Sequence, residues 1–117
     1  MLVDDDSDHL LLCTLVFEKR GYNVKALQGC REEHELTDAV AMFHPDLILM
    51  DHNMPGICGS DLTKLLKANS STNSIPIVYF TSELDIEQLA KEAGADGHCK
   101  KPFKFVDLVE VVKNFAA

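Results

Sequence analysis

The chain has 117 residues, 46% of them apolar and 26% charged, with a formal net charge of −8. Those figures describe one globular domain able to bury about 66% of its unfolded surface, and they exclude a disordered chain. The acidic balance also excludes unaided binding to a nucleic-acid backbone or an anionic membrane, since both need a basic face.

No apolar run approaches the roughly 18 residues of a membrane span. Asp4, Asp5 and Asp6 follow the start almost at once, so no signal peptide is visible and a cytoplasmic location is expected. Cys13, Cys30, Cys58 and Cys99 are widely spread, with no C-x-x-C and no zinc-type spacing. They are expected to be small buried apolar residues in a reducing compartment.

In chain order, Leu2-Val3 reads as the stub of a strand ending on three acids. Asp6, Ser7 and Asp8 are good N-cap types ahead of a helix from about His9 to Arg20, which Gly21 stops. Tyr22 to Leu27 alternates as a second strand. A helix from about Arg31 to Phe43 carries Leu36, Ala39, Val40 and Phe43 on one face. Leu47 to Met50 is apolar on both faces, as a strand covered by helices on both sides must be. Asp51 to Gly59 reads as a loop, and Ser60 as the cap of a third helix with Leu62, Leu65 and Leu66 inward. After a polar connection, Ile75 to Phe80 is a fourth strand. A helix from about Leu84 to Ala93, a weak strand from Gly97 to Lys100 and a last helix from about Lys104 to Phe115 complete the chain.

Five strands alternating with five helices over short connections predict an α/β fold, a parallel sheet with helices on both faces. Ligands in such folds sit beyond the C-terminal ends of the strands. This sequence puts Asp4-Asp5-Asp6, Asp51, Thr81-Ser82-Glu83 and Lys101-Pro102 at those ends. Crowded carboxylates either raise their pKa values or bind a cation. A few carboxylates, a backbone carbonyl and waters suit octahedral Mg²⁺. Helix capping is the structural alternative for the acidic triplet, as a turn aspartate ahead of Pro55-Gly56 is for Asp51. Beside a metal and a cation, Asp51 can instead be a nucleophile that forms an acyl phosphate. Thr81 and Ser82 offer an O–H and backbone N–H groups for phosphoryl oxygens, although Ser82-x-x-Asp85 also fits a capping box. Lys101 supplies a charge to neutralise a phosphoryl group, or is a surface lysine like Lys100.

Over essentially its whole length the chain resembles the receiver domain of bacterial two-component response regulators, and the chemotaxis regulators among them. The resemblance is carried by Val3-Asp4-Asp5-Asp6, Leu47-Ile48-Leu49-Met50-Asp51 with Met54-Pro55-Gly56 and Gly59, Thr81-Ser82, and Lys101-Pro102-Phe103, in that order. It implies a flavodoxin-like fold with strand order 2-1-3-4-5 and one receiver domain over residues 1–117, with no output domain visible. It implies that Asp51 accepts a phosphoryl group from a sensor histidine kinase or a histidine phosphotransfer protein. Asp5 and Asp51 would bind Mg²⁺ directly, Asp4 through water and Asn53 through its backbone carbonyl. Thr81 and the Ser82 N–H would hold phosphoryl oxygens, and Lys101 would pair with Asp51 and then with the phosphoryl group. Asn53 and Glu83 stand where the family tunes acyl-phosphate hydrolysis. His98 stands where the family usually has a tyrosine or phenylalanine that swings inward, and an ordinary surface histidine is the alternative there. The partner face implied is the fourth helix, fifth strand and fifth helix, with Asp85, Gln88, Lys91, His98, Lys100 and Lys104. The resemblance implies that this face would serve an unidentified protein target or homodimerisation.

Three other readings compete. An aspartyl phosphatase usually carries a second acid where Asn53 stands. A flavin-binding electron carrier needs a first loop less acidic than Asp4 to Ser7. A degenerate receiver acting only as a binding module would lack the acceptor set.

Overall fold

Alternation along the two central strands decides which face each helix covers. The computed structural model describes residues 1–51, 56–81, 86–100 and 105–115. Its elements are β1 (Leu2–Val3), α1 (Ser7–Lys19), β2 (Ala26–Leu27), α2 (Glu33–Phe43), β3 (Ile48–Asp51), α3 (Gly59–Ala68), β4 (Ile77–Thr81), α4 (Ile86–Ala93), β5 (Gly97–Lys100) and α5 (Phe105–Phe115). The strands form one parallel sheet in the order β2-β1-β3-β4-β5. This is the architecture that the resemblance implies.

Successive strand side chains point to opposite faces. Val3, Ile48, Met50, Ile77 and Tyr79 therefore share one core with Leu36 and Val40 of α2, Leu62 and Leu66 of α3, and Ala90 of α4. Leu2, Leu49, Val78 and Phe80 share the other with Leu10, Cys13 and Phe17 of α1 and Leu108, Val109 and Val112 of α5. Both faces of β3 and β4 are buried, which explains their unbroken apolar sequence.

Several boundaries differ from the sequence expectation. The second strand holds only Ala26 and Leu27, because Tyr22 and Val24 pack against the α1–α5 core from irregular backbone. The second helix starts at Glu33 rather than Arg31, and His44 closes it in the left-handed region at φ 53°. Asp51 is the last residue of β3, opposite Phe80, and not the first residue of a loop. Ser60 does not cap α3: the cap position is Cys58, and Ser60 lies in the first turn. Thr63 of α3 is fully buried, its hydroxyl donating to the Gly59 carbonyl at 2.8 Å, whereas Leu65, expected inward, is only half-buried. Burial among the cysteines is confined to Cys13 and Cys30, while Cys58 and Cys99 are half-buried; all four are free thiols. In α1, Leu11, Leu12 and Leu15 face solvent. Among the described residues, no helix is long and apolar enough to cross a membrane.

Two tertiary contacts tie the loops. Lys67 Nζ lies 2.8 Å from Asp96 Oδ2 and also donates to the Ile75 carbonyl at 3.0 Å, while the same Asp96 oxygen accepts from the Ile77 N–H. This joins α3 to the start of β4 and to the turn before β5. On the other side, Cys30 and Gly56 form an isolated parallel bridge, and the Ile57 N–H donates to the Cys30 carbonyl. Gly56 has φ +87°, and a Cβ there would stand 2.5 Å from the Cys30 oxygen.

Gly56→Ala meets both a disfavoured φ and a backbone clash, so it is expected to lower stability by about 2 kcal/mol in urea unfolding. A second expectation concerns Tyr79, whose phenol burial pushes up to about 12, with the Thr63 hydroxyl offsetting part of that rise. In the unfolded chain it ionises near its ordinary value of about 10. Its contribution to stability is complete below that value and is lost as pH rises toward about 12. Across that window the thermal midpoint of Tyr79→Phe should fall less steeply than that of the wild type.

Candidate functional site

The C-terminal ends of the two strands at the middle of the acidic rim bring three carboxylates together. β1 and β3 pair in register, Val3 opposite Met50, so the next residues, Asp4 and Asp51, stand side by side at the strand ends. Asp4 is fully buried and Asp51 is 5% exposed. Asp5 follows Asp4 and is half-buried. Each of Asp4, Asp5 and Asp51 presents a carboxylate oxygen, and these oxygens lie within 4.8 Å of one another.

Such a grouping is electrostatically costly. Two like charges 4 Å apart repel by about 1 kcal/mol in water and about 4 kcal/mol at an effective dielectric of 20. A hard cation with oxygen ligands offsets that repulsion, and the donor set here, carboxylates without sulfur, fits Mg²⁺ chemistry.

Each acid is held by local structure. The Asp4 N–H donates to the Leu27 carbonyl, which extends β1 pairing past Val3. Asp4 Oδ1 accepts from the Asp6 N–H at 3.1 Å, and Asp4 Oδ2 lies 2.6 Å from His9 Nδ1. Asp6 is the N-cap of α1, its Oδ1 accepting from the Asp8 and His9 N–H groups. The triplet thus divides: Asp6 caps, while Asp4 and Asp5 face the cluster. The Asp5 carbonyl accepts from Gln28 Nε2 at 3.2 Å, which ties this turn to the segment after β2.

A cavity of about 420 Å³ opens beside Asp5, between Gln28, Arg31, Glu35 and Gly56. Cys30 also lines it, its thiol pushed up to about 11 by burial and then by the charge of Glu35. A second cavity of about 350 Å³ lies at the opposite end of the strands, among Phe17, Tyr22, Phe43 and Leu47. Its lining carries a single carboxylate, Asp46, so it lacks the charge clustering of the rim.

Of the other predicted residues, Thr81 is the last residue of β4, one position beyond the partner of Asp51. His98 lies in β5 opposite Tyr79 and is exposed. Gln88 and Lys91 on α4 are also exposed. Asn53, Ser82, Glu83, Asp85, Lys101 and Lys104 lie outside the described residues.

Sequence reasoning missed His9 and Gln28. Gln28 had no signal, because its role depends on two loops meeting. His9 had one: it stands four residues before Cys13, in the row of α1 that also carries the buried Leu10 and Phe17.

A family model described as "Response regulator receiver domain" matches residues 1–113. Sporulation initiation phosphotransferase F of Bacillus subtilis is 33% identical over 116 residues, covering 98% of this chain and 90% of that protein. The DNA-binding response regulator MtrA of Mycobacterium tuberculosis is 33% identical over 115 residues, covering 97% of this chain. The chain spans about half the length of such curated relatives, 48% for MtrA. Among solved structures, the chemotaxis response regulator CheY4 of Vibrio cholerae superimposes with a TM-score of 0.85 at 26% identity, covering 97% of this chain and 94% of that one. A match over residues 1–113, on a sheet of order 2-1-3-4-5, leaves one conclusion: the chain belongs to the response regulator receiver domain family of two-component phosphorelay signalling.

Proposed function

We propose that residues 1–117 act as a single phosphorylation-dependent signalling switch in the cytoplasm, with Asp51 as the phosphoacceptor. The observation that carries this reading is the cluster of Asp4, Asp5 and Asp51 at the strand ends of a receiver-family chain. The name of the Bacillus relative, a phosphotransferase, supports phosphoryl transfer, and the donor proposed is a sensor histidine kinase or a histidine phosphotransfer protein.

In the step itself an Asp51 carboxylate oxygen attacks phosphorus, the donor's P–N bond breaks, and an acyl phosphate forms. Mg²⁺, when bound, neutralises phosphoryl oxygens and relieves the acid cluster. Asp5 and Asp51 would hold it directly, with the Asn53 carbonyl. Asp4 would act through water, which agrees with both of its oxygens already accepting from Asp6 and His9. Thr81 and the Ser82 N–H would take the phosphoryl oxygens, and Lys101 the remaining charge. Thr81 ends β4, so its movement toward the group would shift α4, β5 and α5 as a two-state element. A partner that prefers the shifted state then draws the equilibrium over. Exposed Gln88, Lys91 and His98 on that face support a protein target or a second copy of the chain there. Turnover is limited to the chain's own phosphorylation and dephosphorylation, with Asn53 and Glu83 orienting the hydrolytic water.

Intact mass after incubation with acetyl phosphate and Mg²⁺ tests the acceptor. One phosphoryl adduct is expected on the wild type and none on Asp51→Asn; an adduct on neither, under quenched conditions, would make the chain a binding module only. For Glu83→Lys, dephosphorylation is expected to slow several-fold, and an unchanged rate removes Glu83 from the hydrolytic role.

A further inference from the structure

We propose that His9 is a positioning residue for the Mg²⁺ site, its Nδ1–H holding the buried Asp4 carboxylate in the orientation that serves the cation. This assignment rests on reading Asp4, Asp5 and Asp51 as the Mg²⁺ cluster.

Asp4 is fully buried, and a carboxylate offers about four acceptor directions. One is met by the Asp6 backbone N–H, which almost any residue could supply. Another is met by His9 Nδ1 at 2.6 Å, which depends on the side chain of residue 9. Repulsion from Asp5 and Asp51 favours turning the Asp4 carboxylate away from them. The hydrogen bond opposes the rotation and keeps Asp4 within reach of the cluster.

The ring of His9 is itself fixed. Its backbone N–H donates to the capping Asp6 carboxylate at 3.2 Å, which sets the residue in the first turn of α1. Its ring lies 5.3 Å from that of Phe80, centroid to centroid, tilted by 40°. Its Nε2 lies 3.7 Å from the Sγ of buried Cys13, one helical turn along. An ionised carboxylate can only accept, so the 2.6 Å contact with Asp4 places the proton on Nδ1, and Nε2 can then accept from the Cys13 thiol. A chain of contacts therefore runs from the α1 core, through Cys13 and His9, to Asp4. Groups that hold a metal's direct ligands govern affinity by about 10–100-fold each; Asp4 acts through water, so the low end of that range applies to His9.

The test is the Mg²⁺ dissociation constant, measured calorimetrically on unphosphorylated protein. His9→Leu keeps the apolar contact with Phe80 and removes the donor, so it is expected to bind Mg²⁺ about tenfold more weakly. His9→Asn returns an N–H near the position of Nδ1 and should recover most of the loss. His9→Gln reaches the position of Nε2 instead and should not. In an Asp4→Asn background, adding His9→Leu should cost nothing further. Unchanged affinity in His9→Leu, equal binding by the Asn and Gln variants, or a full further loss in the Asp4→Asn background would each overturn the assignment. Thermal unfolding in chelator checks that each variant is folded, and the Asn–Gln comparison carries the test if His9→Leu is not. Mg²⁺ binding by the wild type without a phosphoryl adduct would overturn the proposed function and leave His9 assigned. An absence of Mg²⁺ binding by the wild type would overturn both.

Discussion

Three carboxylates converging within a few ångströms, two of them almost without solvent, are the constraint on which this molecule turns. Like charges in that setting raise the free energy of the folded state. A fold that keeps them together does so at a cost in stability and must supply rigid support. That support comes from strand pairing. β1 and β3 are adjacent and parallel, so the residues that follow Val3 and Met50 emerge next to one another. The repulsion is then opposed by two apolar cores, one on each side of the sheet.

The surrounding contacts divide the work. Asp6 spends its carboxylate on the N-terminus of α1, and this fixes the turn that carries Asp4 and Asp5. Gln28 ties the Asp5 backbone to the segment after β2. The Cys30–Gly56 bridge brings the loops after β2 and β3 together on the same rim, in a geometry that only glycine accepts at position 56. At the far side, Lys67 and Asp96 fix the approach to β4 and β5. The acid cluster thus sits on a frame of paired strands whose further joints are hydrogen bonds between separate segments of the chain.

Legibility in the sequence followed periodicity. The runs Leu47–Met50 and Ile75–Phe80 announce buried parallel strands, and Leu36, Ala39, Val40 and Phe43 announce the inward face of α2. Asp51 was visible as an acid out of place after an apolar run. The extent of β2 was not legible, because alternation from Tyr22 to Leu27 does not distinguish a paired strand from irregular backbone packed on a core. Ser60 illustrates a different limit: cap propensity identifies a residue type, whereas the actual boundary at Cys58 depends on how the chain enters the helix.

The sequence by itself determined the order of elements, the two-sided burial of the central strands and the set of acids at their ends, because local patterning and turn chemistry are written along the chain. Only the tertiary structure decided which acid caps and which faces the cluster, that His9 meets Asp4, and that Gly56 must lie against Cys30. Those contacts join residues from different elements or different faces of one turn. Their geometry follows from strand register and helix entry angle, and neither quantity has a local signal in the sequence.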